Sequence, residues 1–147
     1  MTAKLLLDAN NVREAESALS KHLRQNPADS DQRSFLFELL CFSGQYDRAE
    51  KQLAVLAQGS REAETGAVLY YSALHAEKVR HEVFRKSEFP PTSAPSSVSG
   101  KINGRPFQSI CDADPAIGAR LEVYAAGAYL WIPFEHIASM QDRKSVV

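Results

Sequence analysis

Two cysteines, Cys41 and Cys111, are too few in 147 residues for a disulfide-held scaffold, and a reducing, cytoplasmic compartment is the default expectation. Long hydrophobic runs are missing as well. The longest uncharged apolar stretch runs only from Val123 to Phe134, whereas a membrane-spanning helix needs about 20 such residues. Lys4 precedes Leu5-Leu6-Leu7, but Asp8, Asn10 and Asn11 end that run too early for a signal peptide. Charge of one sign is absent: 17 Lys and Arg stand against 18 Asp and Glu, a net charge of −1. That balance gives no basic footprint for nucleic acid. Neither a glycine-rich phosphate loop nor a zinc-ligand spacing occurs. What is present is ordinary for a globular chain, 44% hydrophobic and 24% charged. The length fits one mid-sized domain or two small ones.

The first 88 residues read as helices. Ala15, Ala18, Leu19 and Leu23 recur at helical spacing, and Asn26-Pro27 ends the segment. Ser30 or Asp31 is the expected cap of a second helix carrying Phe35, Leu36, Leu39, Leu40 and Phe42, which Ser43-Gly44 stops. Asp47 opens a third helix with Ala49, Leu53, Leu56 and Ala57. Gly59-Ser60 breaks it, and a long helix follows from about Arg61 to Lys86.

Residues 89–97 contain Pro90, Pro91 and Pro95 among serines and a threonine, and read as a linker. Residues 98–147 read as a small β-rich domain. Strands over 98–102 and 107–111 flank Asn103-Gly104, a strong hairpin signal, because both turn positions tolerate positive φ. Pro106 has no N–H, so the second strand should start at Phe107 or lie at an edge. Asp114 as cap and Pro115 at the first position predict a short helix to about Leu121. Residues 122–125 and 129–134 then flank Ala126-Gly127, a second hairpin. Tyr129, Trp131 and Pro133 alternate with Leu130, Ile132 and Phe134, so this strand is expected to be buried on both faces.

Ala15 recurs as Ala49, Leu19 as Leu53 and Leu6 as Leu40, an offset of 34 residues. That is the tetratricopeptide period, a helix–turn–helix unit that stacks into an array with a concave binding face. The repeat is degenerate: Arg61 stands where the unit-ending proline would, and Phe37 where a small residue is usual. The fold class is therefore α+β, a tetratricopeptide-like helical array followed by a small β-rich domain with hairpins and one short helix. The repeat register places Ser34, Glu38, Cys41 and Phe42, with Val68, Ser72 and His75 of the long helix, on the concave face as a partner-binding groove. Phe42 and Val68 could equally be core residues.

Catalytic and metal signals are thin. His75 and His81, six apart on a helix, do not share a face. Cys41 among Leu39, Leu40 and Phe42 reads as a buried, inert thiol. Cys111 and His136 would make a nucleophile and base only with an orienting third group, which no recognisable spacing supplies. Asp112 and Asp114 with Glu122 or Glu135 could ligate a cation through oxygen, but capping accounts for both aspartates. No catalytic residue, cofactor or metal site is expected, and the chain is read as a non-enzyme.

The strings Gly100-Lys101-Ile102-Asn103-Gly104-Arg105-Pro106-Phe107, Asp112-Ala113-Asp114, Gly118, Leu121-Glu122, Gly127 and Tyr129-Leu130-Trp131-Ile132-Pro133-Phe134-Glu135-His136-Ile137 resemble the ImpE/TagJ family of bacterial type VI secretion accessory proteins. Asn26-Pro27-Ala28-Asp29, Phe35 to Cys41, Gly44 to Ala49 and Glu82-Val83-Phe84 resemble its helical part, so the likeness spans roughly residues 5–139. Its motif positions here are Asn103, Gly104, Phe107, Asp112, Asp114, Gly127, Trp131, Pro133 and Phe134. Ile117-Gly118 departs from the family's Leu-Gly. The resemblance implies a cytoplasmic protein–protein adaptor. Its partners would be a helix of the small contractile-sheath subunit and the AAA+ ATPase that recycles the sheath, with no nucleic acid and no membrane. The alternative is a generic tetratricopeptide-like scaffold with another partner or with itself. Relatives are longer, between Phe89 and Val98 and beyond Val147, so the sequence reads as a short form.

Overall fold

A computed structural model describes residues 11–91, 98–110 and 112–141. The chain divides into two compact units, residues 1–78 and 79–147. The division falls inside a helix.

The first unit is helical. Helix α1 spans Val12–Gln25, α2 Ser30–Phe42, α3 Tyr46–Leu56, and α4 Arg61–Lys86. The offset of 34 seen in the sequence reappears as matched burial: Ala15 and Ala49 are both 0% exposed, and Leu19 and Leu53 are 1% and 4% exposed. An alanine at each of these points lets neighbouring helices approach closely, and the leucine one turn later fills the space between them. Leu6, the third repeat match, lies outside the described residues, but its counterpart Leu40 is fully buried. Phe37, unusual for its repeat position, turns its ring edge-on to Tyr70 of α4, with centroids 5.4 Å apart.

The cap of α2 sits one residue before the expected pair. Asp29 takes the position, its Oδ1 accepting from Gln32 N–H at 3.1 Å and its Oδ2 bound to His22 Nε2 at 2.8 Å. Asp29 wins over Ser30 because it meets two partners there, a free helix N–H and an imidazole. Gly44, at φ +72°, ends the α2 turn. Ser60 caps α4 by accepting from Ala63 N–H.

The second unit holds the last turns of α4 and two antiparallel hairpins. Strands β1 (Gly100–Ile102) and β2 (Arg105–Phe107) form one sheet, and β3 (Arg120–Ala125) and β4 (Ala128–Pro133) the other. Both two-residue turns carry positive φ at both centres, Asn103-Gly104 and Ala126-Gly127, the mirror-image turn whose twist matches the strands. Strand β2 begins at Arg105, two residues before the expectation. Pro106 pairs opposite Lys101. Arg105 and Ile102 close the hairpin, so Pro106 falls at a site where the ladder asks for no N–H, at the edge of a two-stranded sheet.

Three expectations are corrected in this unit. The segment after Asp114 is a turn, not a helix. Ile117 and Gly118 both donate to Asp114 O, but Gly118 adopts φ +63° and Arg120 enters a strand. The glycine ends after one turn what the Asp-Pro pair starts. Strand β4 is not buried on both faces, since Leu130 is 45% exposed, and Phe134 leaves the strand for a short 3-10 turn, Phe134–His136. Phe89, expected to open a linker, instead packs its ring 5.4 Å from Phe84 and 5.7 Å from Trp131. Most of the expected linker, residues 92–97, lies outside the described residues.

Candidate partner-binding face

In the helical unit the face is set by which sides of α2 and α4 the core leaves free. Leu36, Phe37, Leu39 and Leu40 turn α2 inward, and Ala67 and Leu74 do the same for α4. At 3.6 residues per turn, Cys41, Ser34, Glu38 and Phe42 fall on one arc of about 100° of α2, and His75, Val68 and Ser72 on an arc of about 60° of α4. The structure thus keeps each set together on its own helix. Phe42 is 81% exposed and Val68 60%, so neither is a core residue. Glu38 and His75 are exposed, while Ser34, Ser72 and Cys41 are half-buried. Ser34 and Ser72 hydroxyls donate to the carbonyls of Ser30 and Val68 within their own helices. Cys41 is less buried than the sequence indicates. Partial burial, with the Glu38 carboxylate nearby, raises the Cys41 thiol above its ordinary pKa and disfavours the nucleophilic thiolate.

Leu69 and Tyr70, at 74% and 55% exposed, extend the apolar surface of α4. Sequence reasoning missed both. Beside Phe42 lies a hollow of about 560 Å³ lined by Val12, Arg13, Glu16, Ser43 and Gln45. Its floor holds an unexpected group, the buried carboxylate of Glu16, only 5% exposed. Ser43 Oγ donates to it at 2.8 Å, Gln45 Nε2 at 2.9 Å, and the Arg48 guanidinium stands 3.4 Å away.

The remaining candidates do structural work. Asp112 Oδ1 accepts from Asp114 N–H at 2.7 Å, and Asp114 Oδ1 from Ala116 N–H at 2.9 Å. Glu122 binds Arg80 at 2.9 Å and accepts from the Tyr129 hydroxyl, which in turn accepts from the Trp131 indole N–H. Desolvation first, and then the Glu122 bond, raise the Tyr129 pKa. The Arg120 guanidinium lies 4.4 Å over the Trp131 ring and donates to the carbonyls of Ile117 and Ala116. Asn103, Gly104 and Gly127 form turns, and Phe107 covers Gly100. Phe134 donates its N–H to Ala119 O. Pro133 closes β4 opposite Arg120. His136 is exposed beside Glu135, and Cys111 lies outside the described residues. Among the described residues, no group of three His, Cys, Asp or Glu side chains is placed to hold a metal ion, and no helix is long and apolar enough to cross a membrane.

Comparison with known proteins gives both halves a likeness. The model of the ImpE protein family matches residues 104–145, and that of the tetratricopeptide repeat matches residues 3–65. The chain is 29% identical over 175 aligned positions to the type VI secretion system accessory component TagJ of Pseudomonas aeruginosa, covering 96% of this chain and 62% of that one. Its fold is similar to the crystal structure of protein VPA1032 from Vibrio parahaemolyticus, with a TM-score of 0.76 and 19% identity, over 90% of this chain and 63% of that one. The chain thus spans less than two thirds of the length of each relative. The resemblance to ImpE/TagJ proteins and the tetratricopeptide-like array followed by small antiparallel hairpins are both shown.

Proposed function

We propose that this chain is a non-enzymatic, cytoplasmic adaptor of a bacterial type VI secretion system. Its helical unit binds a helix of the small contractile-sheath subunit, and the protein links that subunit to the AAA+ ATPase that recycles the sheath. The observation that carries the reading is the reach of the similarity to TagJ, which takes in 96% of this chain and so includes the array as well as the hairpins. The exposed side chains of Phe42 and Val68 support it further. A helix lays its apolar face onto such a surface through anchors spaced three and four residues apart. The polar atoms of Asp112, Asp114 and Glu122 are engaged in turns and ion pairs, which supports a scaffold over a catalyst.

The test is a pull-down of the purified small sheath subunit by the full chain, with a sheath subunit lacking its N-terminal helix as control and circular dichroism to show that the chain is folded. Retention of the intact subunit and loss of the truncated one is the expected result. No retention by a folded chain overturns the proposal. Adding the ATPase to the retained pair tests the second link.

A further inference from the structure

The exposed arcs of α2 and α4 are unevenly charged. Asp31 and Glu38 stand exposed on the same side of α2 as Phe42, and that arc carries no cation. On α4, Glu64 and Arg61 flank Val68, and both are exposed. Three carboxylates therefore border the apolar side chains Phe42, Val68 and Leu69, against the single guanidinium of Arg61, among the described residues of the two arcs. Most cations of the unit are engaged elsewhere. Arg33 donates to Gln52 and to Pro27 O, Arg48 pairs with Glu16, and Lys78 pairs with Asp47 and Glu50. Arg13 lines the hollow at the far end of α2, beyond Phe42.

We infer that this face takes an amphipathic helix whose apolar stripe is edged by lysine or arginine. The inference rests on the helix-binding reading above and adds the chemistry of the occupant. Leu, Ile or Phe anchors of such a helix would cover Phe42, Val68 and Leu69, and its basic edge would stand against Asp31, Glu38 and Glu64. An acidic edge would set like charges together, which opposes binding and separates right partners from wrong ones. The carboxylates lie at the rim, in water, so the effect is one of selection and association rate and is screened by salt.

Fluorescence anisotropy of the full chain with two labelled synthetic helices of about 18 residues tests it. Both carry one leucine stripe, edged by lysine in one and by glutamate in the other. The lysine-edged peptide is expected to bind about tenfold tighter at low salt, with the gap closing near 0.5 M salt, where the screening length is a few ångströms. The double substitution Asp31→Lys with Glu38→Lys should reverse the preference. Phe42→Ala should weaken both peptides. Equal affinities, a preference for the glutamate edge, a preference untouched by the lysine substitutions, or binding of neither peptide overturns the inference. If the sheath subunit is retained in the pull-down while the peptides show no charge preference, the adaptor reading stands and this inference falls.

Discussion

Glu16 is the residue that most constrains the array. A glutamate four positions into an amphipathic helix reads as solvent-facing, yet this one is buried against the turn between α2 and α3. Its partners Ser43, Gln45 and Arg48 lie 27, 29 and 32 residues away, so no local pattern announces it. The carboxylate holds a turn of the second repeat unit to the helix of the first. Glu16→Ala would leave the Ser43 hydroxyl and Gln45 amide without their acceptor, and destabilisation of about 1–3 kcal/mol is expected by urea unfolding. Glu16→Gln keeps one acceptor oxygen and should lose less. Phe42, on the rim of the same hollow, is the opposite case. Its ring is 81% exposed, so Phe42→Ala should change stability by no more than about 0.5 kcal/mol. A large drop in melting temperature for Phe42→Ala would place it in the core and overturn the register from which the binding face is drawn.

Elements whose causes are local were legible, and the two hairpins illustrate how far that goes. Each turn is specified by two residues that must both accept positive φ. Asn103-Gly104 meets that demand, whereas Ala126, at φ +51°, carries a Cβ into the left-handed region. Ala126→Asn should therefore stabilise the second hairpin by about 1 kcal/mol, read as a raised urea midpoint. In the first hairpin, Gly100 has a different role. A Cβ built there would sit 2.8 Å from Phe107 Cζ on the paired strand, so Gly100→Ala should destabilise the hairpin by displacing the ring that covers it. Hairpin turns, helix stops and the offset of 34 could be read in the sequence because each is written in residues close together or regularly repeated. The failed helix after Asp114 and the packed Phe89 could not. The first is decided by Gly118 and by strand pairing from Arg120, the second by rings of Phe84 and Trp131 that only the fold brings near. The binding face was half legible for the same reason. The repeat period placed Phe42 and Val68 on one side of their helices, but Leu69 and Tyr70 are exposed because nothing among the described residues fully covers that side of α4.

Across the molecule, ion pairs and caps set how stability responds to pH. Asp29 is held below the ordinary carboxylate range first by the Gln32 N–H and then by His22. Asp47 is lowered by the Lys78 ammonium, Glu62 by its own backbone N–H and the Ser60 hydroxyl, and Glu82 by Arg85. All four carboxylates bind protons more weakly in the folded chain than in the unfolded one. Their contribution is complete above the unfolded values of 3.8 and 4.5 and is lost as pH falls through the lower folded values. At the other end, Lys78 is raised above 10.5 by Asp47 and then Glu50, and Tyr129 above 10.0 by desolvation and then Glu122. Raised groups stabilise below their unfolded values, and that stability disappears as pH climbs through the folded ones. The expected profile of urea midpoint against pH is a plateau across neutrality, a decline below about pH 4.5 and a second decline above about pH 10. Asp47→Asn removes one acid-titrating carboxylate and one of the two partners of Lys78, so it should flatten both flanks slightly while lowering the plateau. These groups are largely exposed, and added salt should shrink the difference between Asp47→Asn and the parent chain. A plateau difference unaffected by salt would mean that Asp47 acts through the start of α3 rather than through its pair with Lys78.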